Sequence, residues 1–86
     1  MAVGDKKLVF SGRAGKLLFD IWAITTNGTT EVNLKGSVTQ PQHVEGGWSE
    51  KITTADSMEF VVTANQVAVT CVGATAKTAT IMVWGF

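Results

Sequence analysis

Eighty-six residues carrying seven basic and seven acidic side chains form one small domain of zero formal charge. A chain this short buries only roughly 60% of the surface its unfolded form exposes, so its core needs close packing, oligomerisation or both. Cys71 and His43 are the only cysteine and histidine, which excludes a disulfide framework and a four-ligand zinc site, and neutrality lacks the basic excess of a nucleic-acid module.

The start, MAVGDKKLVF, has lysines but no continuing apolar segment or small-residue cleavage site, so it reads as the beginning of a chain made in a reducing cytoplasm. Residues 1–6 form an N-terminal arm, flexible or lying on a larger surface. Residues Lys7 to Ser11 read as a first strand and SGRAG, Ser11 to Gly15, as its turn. Lys16 to Thr25 is the longest strand. Its residues Leu17, Phe19, Ile21 and Ala23 are expected to face the core, because Asp20 interrupts the alternate set; Leu18 and Trp22 then lie partly on the outer face.

Asn27-Gly28 is a strong hairpin signal, since a type I′ turn needs positive φ at both positions. Glu31 to Leu34 returns with Val32 and Leu34 inward. A short strand over Ser37 to Gln40 precedes Pro41. Val44 to Lys51 is a further strand, bulged at Gly46-Gly47. Lys51 to Ser57 is a polar connection with room for one helical turn. Met58–Val62, Val67–Val72 and Thr78–Trp84 alternate regularly and read as a three-strand meander. In the last strand Ile81 and Val83 take one face; Thr80, Met82 and Trp84 take the other. From Ile52 onward the only charged residues are Asp56, Glu59 and Lys77, so a neighbour is expected to cover the second face of this meander.

About seven or eight short antiparallel strands, with turn signals every 8–12 residues, predict an all-β fold: a single β-sandwich or jelly-roll-like barrel spanning residues 1–86. No apolar run reaches the roughly 18 residues of a membrane-spanning helix.

Catalytic signals are weak. GRAGK, Gly12 to Lys16, has neither the spacing nor the following helix of a phosphate loop. His43 has only Glu45 nearby, and Cys71 falls on an apolar alternating face without a basic neighbour to activate it. No enzyme activity, cofactor or metal is expected. Trp22, Trp48 and Trp84, in a chain with no tyrosine, are the residues left to explain. Tryptophan on a sheet either packs in the core, anchors a protein contact or stacks on a flat ligand.

The polar start MAVGDKK, Val/Thr-rich strands, Gly-rich turns and the apolar ending TIMVWGF together resemble the short β-rich virion proteins of tailed bacteriophages, among them the capsid decoration (cement) proteins. The likeness covers the whole chain and carries no site residue across. It implies a non-enzymatic structural protein, made in the host cytoplasm and located on the virion surface, that binds the outside of an assembled head. Its partners would be itself, as a homo-oligomer and commonly a trimer, and the major capsid protein or another virion protein. Met82, Trp84, Phe86 and Trp22 are the residues expected at subunit contacts, with Lys6 and Lys7 near acidic groups of the shell. The alternative is a carbohydrate-binding module on a tail fibre or virion surface, using Trp22 or Trp48 as a platform beside Asn33, Gln40 and Gln42.

Overall fold

Short runs of alternating apolar and polar residues build seven strands and two antiparallel sheets in the computed structural model, which describes residues 2–52, 56–73 and 76–86. The strands are β1 (Lys6–Ala14), β2 (Leu17–Thr26), β3 (Val32–Leu34), β4 (Pro41–Trp48), β5 (Ser57–Val62), β6 (Val67–Val72) and β7 (Lys77–Gly85). One sheet has the order β1-β2-β7-β4 and the other β3-β6-β5. No helix occurs among the described residues. The domain is therefore the small all-β sandwich that the strand pattern predicts.

Hydrophobic burial between the sheets holds them together. Trp22, Ile24, Ala79, Ile81 and Val83 from the four-stranded sheet meet Val32, Leu34, Val67, Val69 and Cys71 from the other, with Val38 from the connection between β3 and β4. At about 25 cal/mol per Å² of apolar area this core is the main stabilising contribution. Cys71 is buried within it, and that burial, together with the negative charge of Asp56, pushes its thiol pKa up, which leaves it inert.

Several local expectations are corrected. First, β2 buries Asp20, Trp22 and Ile24 and leaves Leu17 exposed and Phe19, Ile21 and Ala23 half-buried, the inverse of the expected faces. The cause is that Asp20, only 1% exposed, is fully partnered. Ser11 Oγ donates to its Oδ1 at 2.6 Å, Ser37 Oγ donates to the same oxygen, and the Val38 N–H donates to Oδ2 at 3.0 Å. A buried carboxylate with three donors is tolerated where an unpartnered one is not. Trp22, expected at a contact or as a sugar platform, is therefore a core residue at 6% exposure.

Second, Asn27-Gly28 does not join paired strands. β2 and β3 lie in different sheets, and of the described residues only Gly4 and Gly15 have positive φ. The Asn27 side chain accepts from the Thr29 and Thr30 N–H groups at 3.0 and 3.1 Å, which turns the chain from one sheet to the other. Third, β7 does not extend a meander with β5 and β6; it crosses over and inserts between β2 and β4. Fourth, Gly46 and Gly47 hold regular register opposite Ile81 and Thr80, and the register shifts fall between Pro41 and His43 on β4 and between Leu8 and Phe10 on β1. The first turn is also tighter than expected: Ala14 pairs with Leu17, and Gly15, at φ 63°, takes the left-handed position of a two-residue loop. Residues 35–40 form an irregular connection and not a strand, and the helical turn expected within Lys51 to Ser57 falls largely on 53–55, outside the described residues.

Both chain ends are tied to this frame. Near the start, the Gly4 N–H donates to the Thr25 carbonyl at 2.7 Å and the Thr25 N–H to the Asp5 carbonyl at 3.1 Å. Lys6, expected on a free arm, begins β1; its ammonium stands 6.0 Å from the Trp22 ring centroid and donates to the Asn33 carbonyl. At the other end, the Thr39 and Gln40 N–H groups both donate to the Phe86 carbonyl oxygen, at 2.9 and 2.8 Å, and the Phe86 N–H donates to the Gln40 carbonyl at 3.2 Å. Gly85 permits this approach, because a Cβ there would stand 2.1 Å from the Gln40 oxygen.

Candidate interaction face

Because β2 turns Asp20, Trp22 and Ile24 inward, its alternate residues face outward, and the pairing aligns them with outward residues of the other three strands. Three cross-strand rows result. Gly12, Phe19, Trp84 and His43 form one; Phe10, Ile21, Met82 and Glu45 the next; Lys7, Ala23, Thr80 and Gly47 the third. The middle of this face is apolar and aromatic. Phe19 packs against Trp84 with ring centroids 4.8 Å apart and against Phe10 at 5.8 Å. Gly12 makes room for this, since a Cβ there would lie 2.5 Å from the Phe19 ring. Phe10 is the most exposed ring of this ridge, at 55%.

Beside the aromatic ridge lies an open hollow of about 320 Å³, lined by Ile21, Glu45, Gly46, Gly47, Thr80 and Met82. At Gly47 no atom lies within 4 Å of where a Cβ would stand, so the hollow is open on that side. Gly46, which pairs with Ile81, faces inward, where a Cβ would collide with Phe60, Ile81 and Met58.

The charged side chains of this face are few: Lys7 on β1, and His43 and Glu45 on β4, while Lys6 and Arg13 pair with the inward residues Ile24 and Leu18. Glu45 lies 3.0 Å from His43 Nε2, both well exposed, while none of the described carboxylates pairs with Lys7. Below the third row, Glu50 accepts the Thr78 hydroxyl at 2.7 Å and its N–H at 2.9 Å, and Lys77 Nζ stands 3.9 Å away. Those two hydrogen bonds, the hydroxyl's first, hold the Glu50 carboxyl below its ordinary value.

The structure places the residues singled out from the sequence in different environments. Met82 and Trp84 lie half-buried side by side on the outer face, and Phe86 is exposed just beyond them. Lys7 lies on the same face at the β1 edge. Trp22 and Lys6 belong to the inner side, and Trp48 packs against the core. Asn33, Gln40 and Gln42 do not gather beside any tryptophan: Asn33 is on the outer face of the other sheet, opposite Ala68. Sequence reasoning missed Phe10, Phe19 and Ile21 as surface residues. One signal was available: Gly12 and Phe19 pair across a two-residue turn, and glycine opposite an aromatic on a strand is a common way to seat a ring flat on a sheet.

The other outer face differs in kind. It presents Asn33, Ser57, Glu59 and Thr70 with Val61, and Phe60 and Val62 are also exposed on its edge strand β5. Neither a family model, nor a curated protein, nor a solved structure matches the chain.

Proposed function

We propose that the chain is a non-enzymatic assembly protein of the capsid decoration kind that its sequence resembles, and that it works by burying the outer face of the four-stranded sheet against another protein surface. The observation that supports this reading is the contiguous apolar ridge Phe10–Phe19–Trp84 with Ile21 and Met82 beside it. Apolar patches of this kind, rimmed by polar groups, mark contact sites in small soluble domains, and buried aromatic residues dominate contact energies. The mechanism is burial without chemistry. Each copy gains the apolar area its small core lacks, and repeated attachment to a multi-copy shell converts modest single contacts into firm clamping. Self-association, as a trimer or another closed oligomer, and a virion shell as the larger partner belong to the same reading.

The test is the double variant Ile21→Thr/Met82→Gln, whose side chains point away from the core. The expected result is a protein with unchanged far-ultraviolet circular dichroism that neither oligomerises in light scattering nor co-sediments with the particle that carries the wild type. A variant that still does both removes the face from the function. No observation favours the carbohydrate reading, since Trp22 is buried, Trp48 packs against the core, and Asn33 lies on the other sheet from Gln40 and Gln42.

A further inference from the structure

The described strands leave four edges: β1 and β4 on the four-stranded sheet, β3 and β5 on the other. A free edge presents unpaired N–H and C=O groups and is a template for a further strand unless something blunts it. Three of these edges are blunted. β1 carries Lys6, Lys7 and Arg13 and a register shift between Leu8 and Phe10. β4 opens on Pro41 and shifts register before His43. β3 is only three residues long. β5, SMEFVV, has none of these devices. It runs in unbroken register along β6 from Ser57 to Val62, without proline, glycine or lysine, and Glu59 is its one charge.

Parity identifies the free groups of β5. The Thr63 N–H donates to the Gln66 carbonyl at 3.0 Å where β5 turns into β6, and hydrogen-bonded pairs recur at every second residue of an antiparallel ladder. Val61 and Glu59 therefore bond to Ala68 and Thr70, and the N–H and C=O groups of Met58, Phe60 and Val62 point to the open edge. No backbone group among the described residues bonds them there. The side chains of the same three residues face inward, opposite Cys71, Val69 and Val67, with Met58 and Phe60 against Gly46 of β4. Yet Phe60 and Val62 stay 37% and 48% exposed, so the four-stranded sheet does not close over this edge. β5 thus lacks two things along one line: hydrogen-bond partners for its backbone and apolar cover for the side chains beside them.

A second copy of β5 supplies both, about a two-fold axis perpendicular to the sheet. In an antiparallel pair, a residue whose backbone points to the partner must face another of its kind. With Phe60 opposite Phe60 of the second copy, Met58 faces Val62 and Glu59 faces Val61, so all three free residues of each strand are paired. With Glu59 opposite itself, like charges meet and Val62 runs past the start of the partner strand. With Val61 opposite itself, Met58 runs past its end. One register alone pairs the whole edge, and it is the one that keeps the two glutamates apart.

We propose that β5 is a self-association edge, at which two copies pair antiparallel about a two-fold axis at Phe60 and join their three-stranded sheets into one continuous sheet. This contact lies apart from the outer face of the four-stranded sheet and goes beyond the assembly reading. The backbone of Met58, Phe60 and Val62 supplies the hydrogen bonds, and Phe60 against Phe60 and Met58 against Val62 supply the apolar contact. A single strand pair buries less than a stable free-standing interface does, so pairing is expected at roughly millimolar concentration.

The test takes Ile21→Thr/Met82→Gln as its background, which disables the other contact, so that failure of either reading is seen separately. Amide hydrogen exchange is followed by NMR from roughly ten micromolar to millimolar protein. The Met58, Phe60 and Val62 N–H groups gain protection as concentration rises, while those of Glu59 and Val61, bonded to β6 throughout, change little. Val62→Pro removes an outward donor, leaves the ladder to β6 whole and weakens pairing by about ten-fold or more. Charge at position 61 reads the register at low salt. Val61→Glu meets Glu59 of the second copy and weakens pairing by about three- to ten-fold, whereas Val61→Lys strengthens it by a similar factor. Amides that gain no protection at millimolar concentration, or only when a larger particle is added, overturn the second-copy assignment. Protection gained equally by both parities of β5, or pairing unaffected by Val62→Pro, shows that the open edge is not the contact. Val61→Glu and Val61→Lys acting in the same direction exclude the register centred on Phe60.

Discussion

The two sheets line their shared core with similar side chains and face outward in opposite ways. Inside, Ile24, Ile81 and Val83 meet Val32, Val67 and Val69. Outside, the three-stranded sheet presents mainly Asn33, Ser57, Glu59 and Thr70, a solvated surface, whereas the four-stranded sheet presents Phe10, Phe19, Ile21, Met82 and Trp84. Antiparallel sheets in a sandwich ordinarily keep one face polar. The three-stranded sheet obeys that rule, and the four-stranded sheet breaks it in the two strands, β2 and β7, that form its centre. The lesson is that apolar residues replace polar ones at the centre of one outer face, whereas on the other sheet the exposed apolar residues Phe60, Val61 and Val62 are confined to the edge strand β5.

Three experiments bear on this contrast. The largest expected effect comes from the inside. Asp20→Ala leaves the buried Val38 N–H without its acceptor, besides the hydroxyls of Ser11 and Ser37, and is expected to cost about 1–3 kcal/mol, read as a lowered urea midpoint. A loss below about 1 kcal/mol would mean that Asp20 does not decide which face of β2 points inward, and the contrast between the outer faces would need another cause.

Next come matched substitutions on the two outsides. Ile21→Thr is expected to shift monomer stability by no more than about 1 kcal/mol while abolishing assembly, and Glu59→Gln or Thr70→Ser to change stability by no more than about 0.5 kcal/mol and leave assembly intact. Equal effects on assembly from both sheets would erase the distinction.

The smallest effect is a pH dependence at Glu50. Its carboxyl titrates below the ordinary value of 4.5 because the Thr78 hydroxyl and N–H bond its charged form. In the unfolded chain it takes up a proton first as the pH falls. Its stabilising contribution is therefore present above 4.5 and lost as the pH drops through the lower folded value. Thr78→Val removes the hydroxyl and should flatten the acid limb of a stability-versus-pH curve slightly. An unchanged curve removes this hydrogen bond from the acid dependence.

Much of the fold was legible from the residues. Alternation located the strands, turn residues separated them, and the inward placement of Val32, Leu34, Ile81 and Val83 followed from parity alone. The parity of β2 was misread at one residue, because an aspartate in a strand looks like a solvent marker until the donors that satisfy it are known. Ser11 is nine residues before Asp20 and Ser37 is seventeen after, too far for any local pattern to connect them. That single inversion also sent Trp22 to the surface, and it hid Phe19 and Ile21. Strand partnership was the second blind spot. The regular spacing of β5, β6 and β7 fits a meander and a crossover equally well, since alternation shows that a strand has two faces and not which edge it joins. On the candidate face, Met82 and Trp84 were readable from their own strand. Phe10 and the Gly47 hollow were not, because they join this face only through the pairing of their strands with β2 and β7.

The late position of β7 in the chain has a consequence for how the domain forms. The β1–β2 and β5–β6 hairpins need only local closure and can form early, but β7 must find β2 across most of the chain and dock against β4 at the same time. Until it does, the four-stranded sheet exists as a hairpin and a detached strand, and Trp22 and Ile24 lack the neighbours that bury them. Non-local pairing of this kind places folding at the slow, milliseconds-to-seconds end of the range for small domains. The rate-limiting event should therefore be insertion of the final strand, so a destabilising change in β7, such as Ile81→Val, should slow folding more than an equally destabilising one in the β5–β6 hairpin.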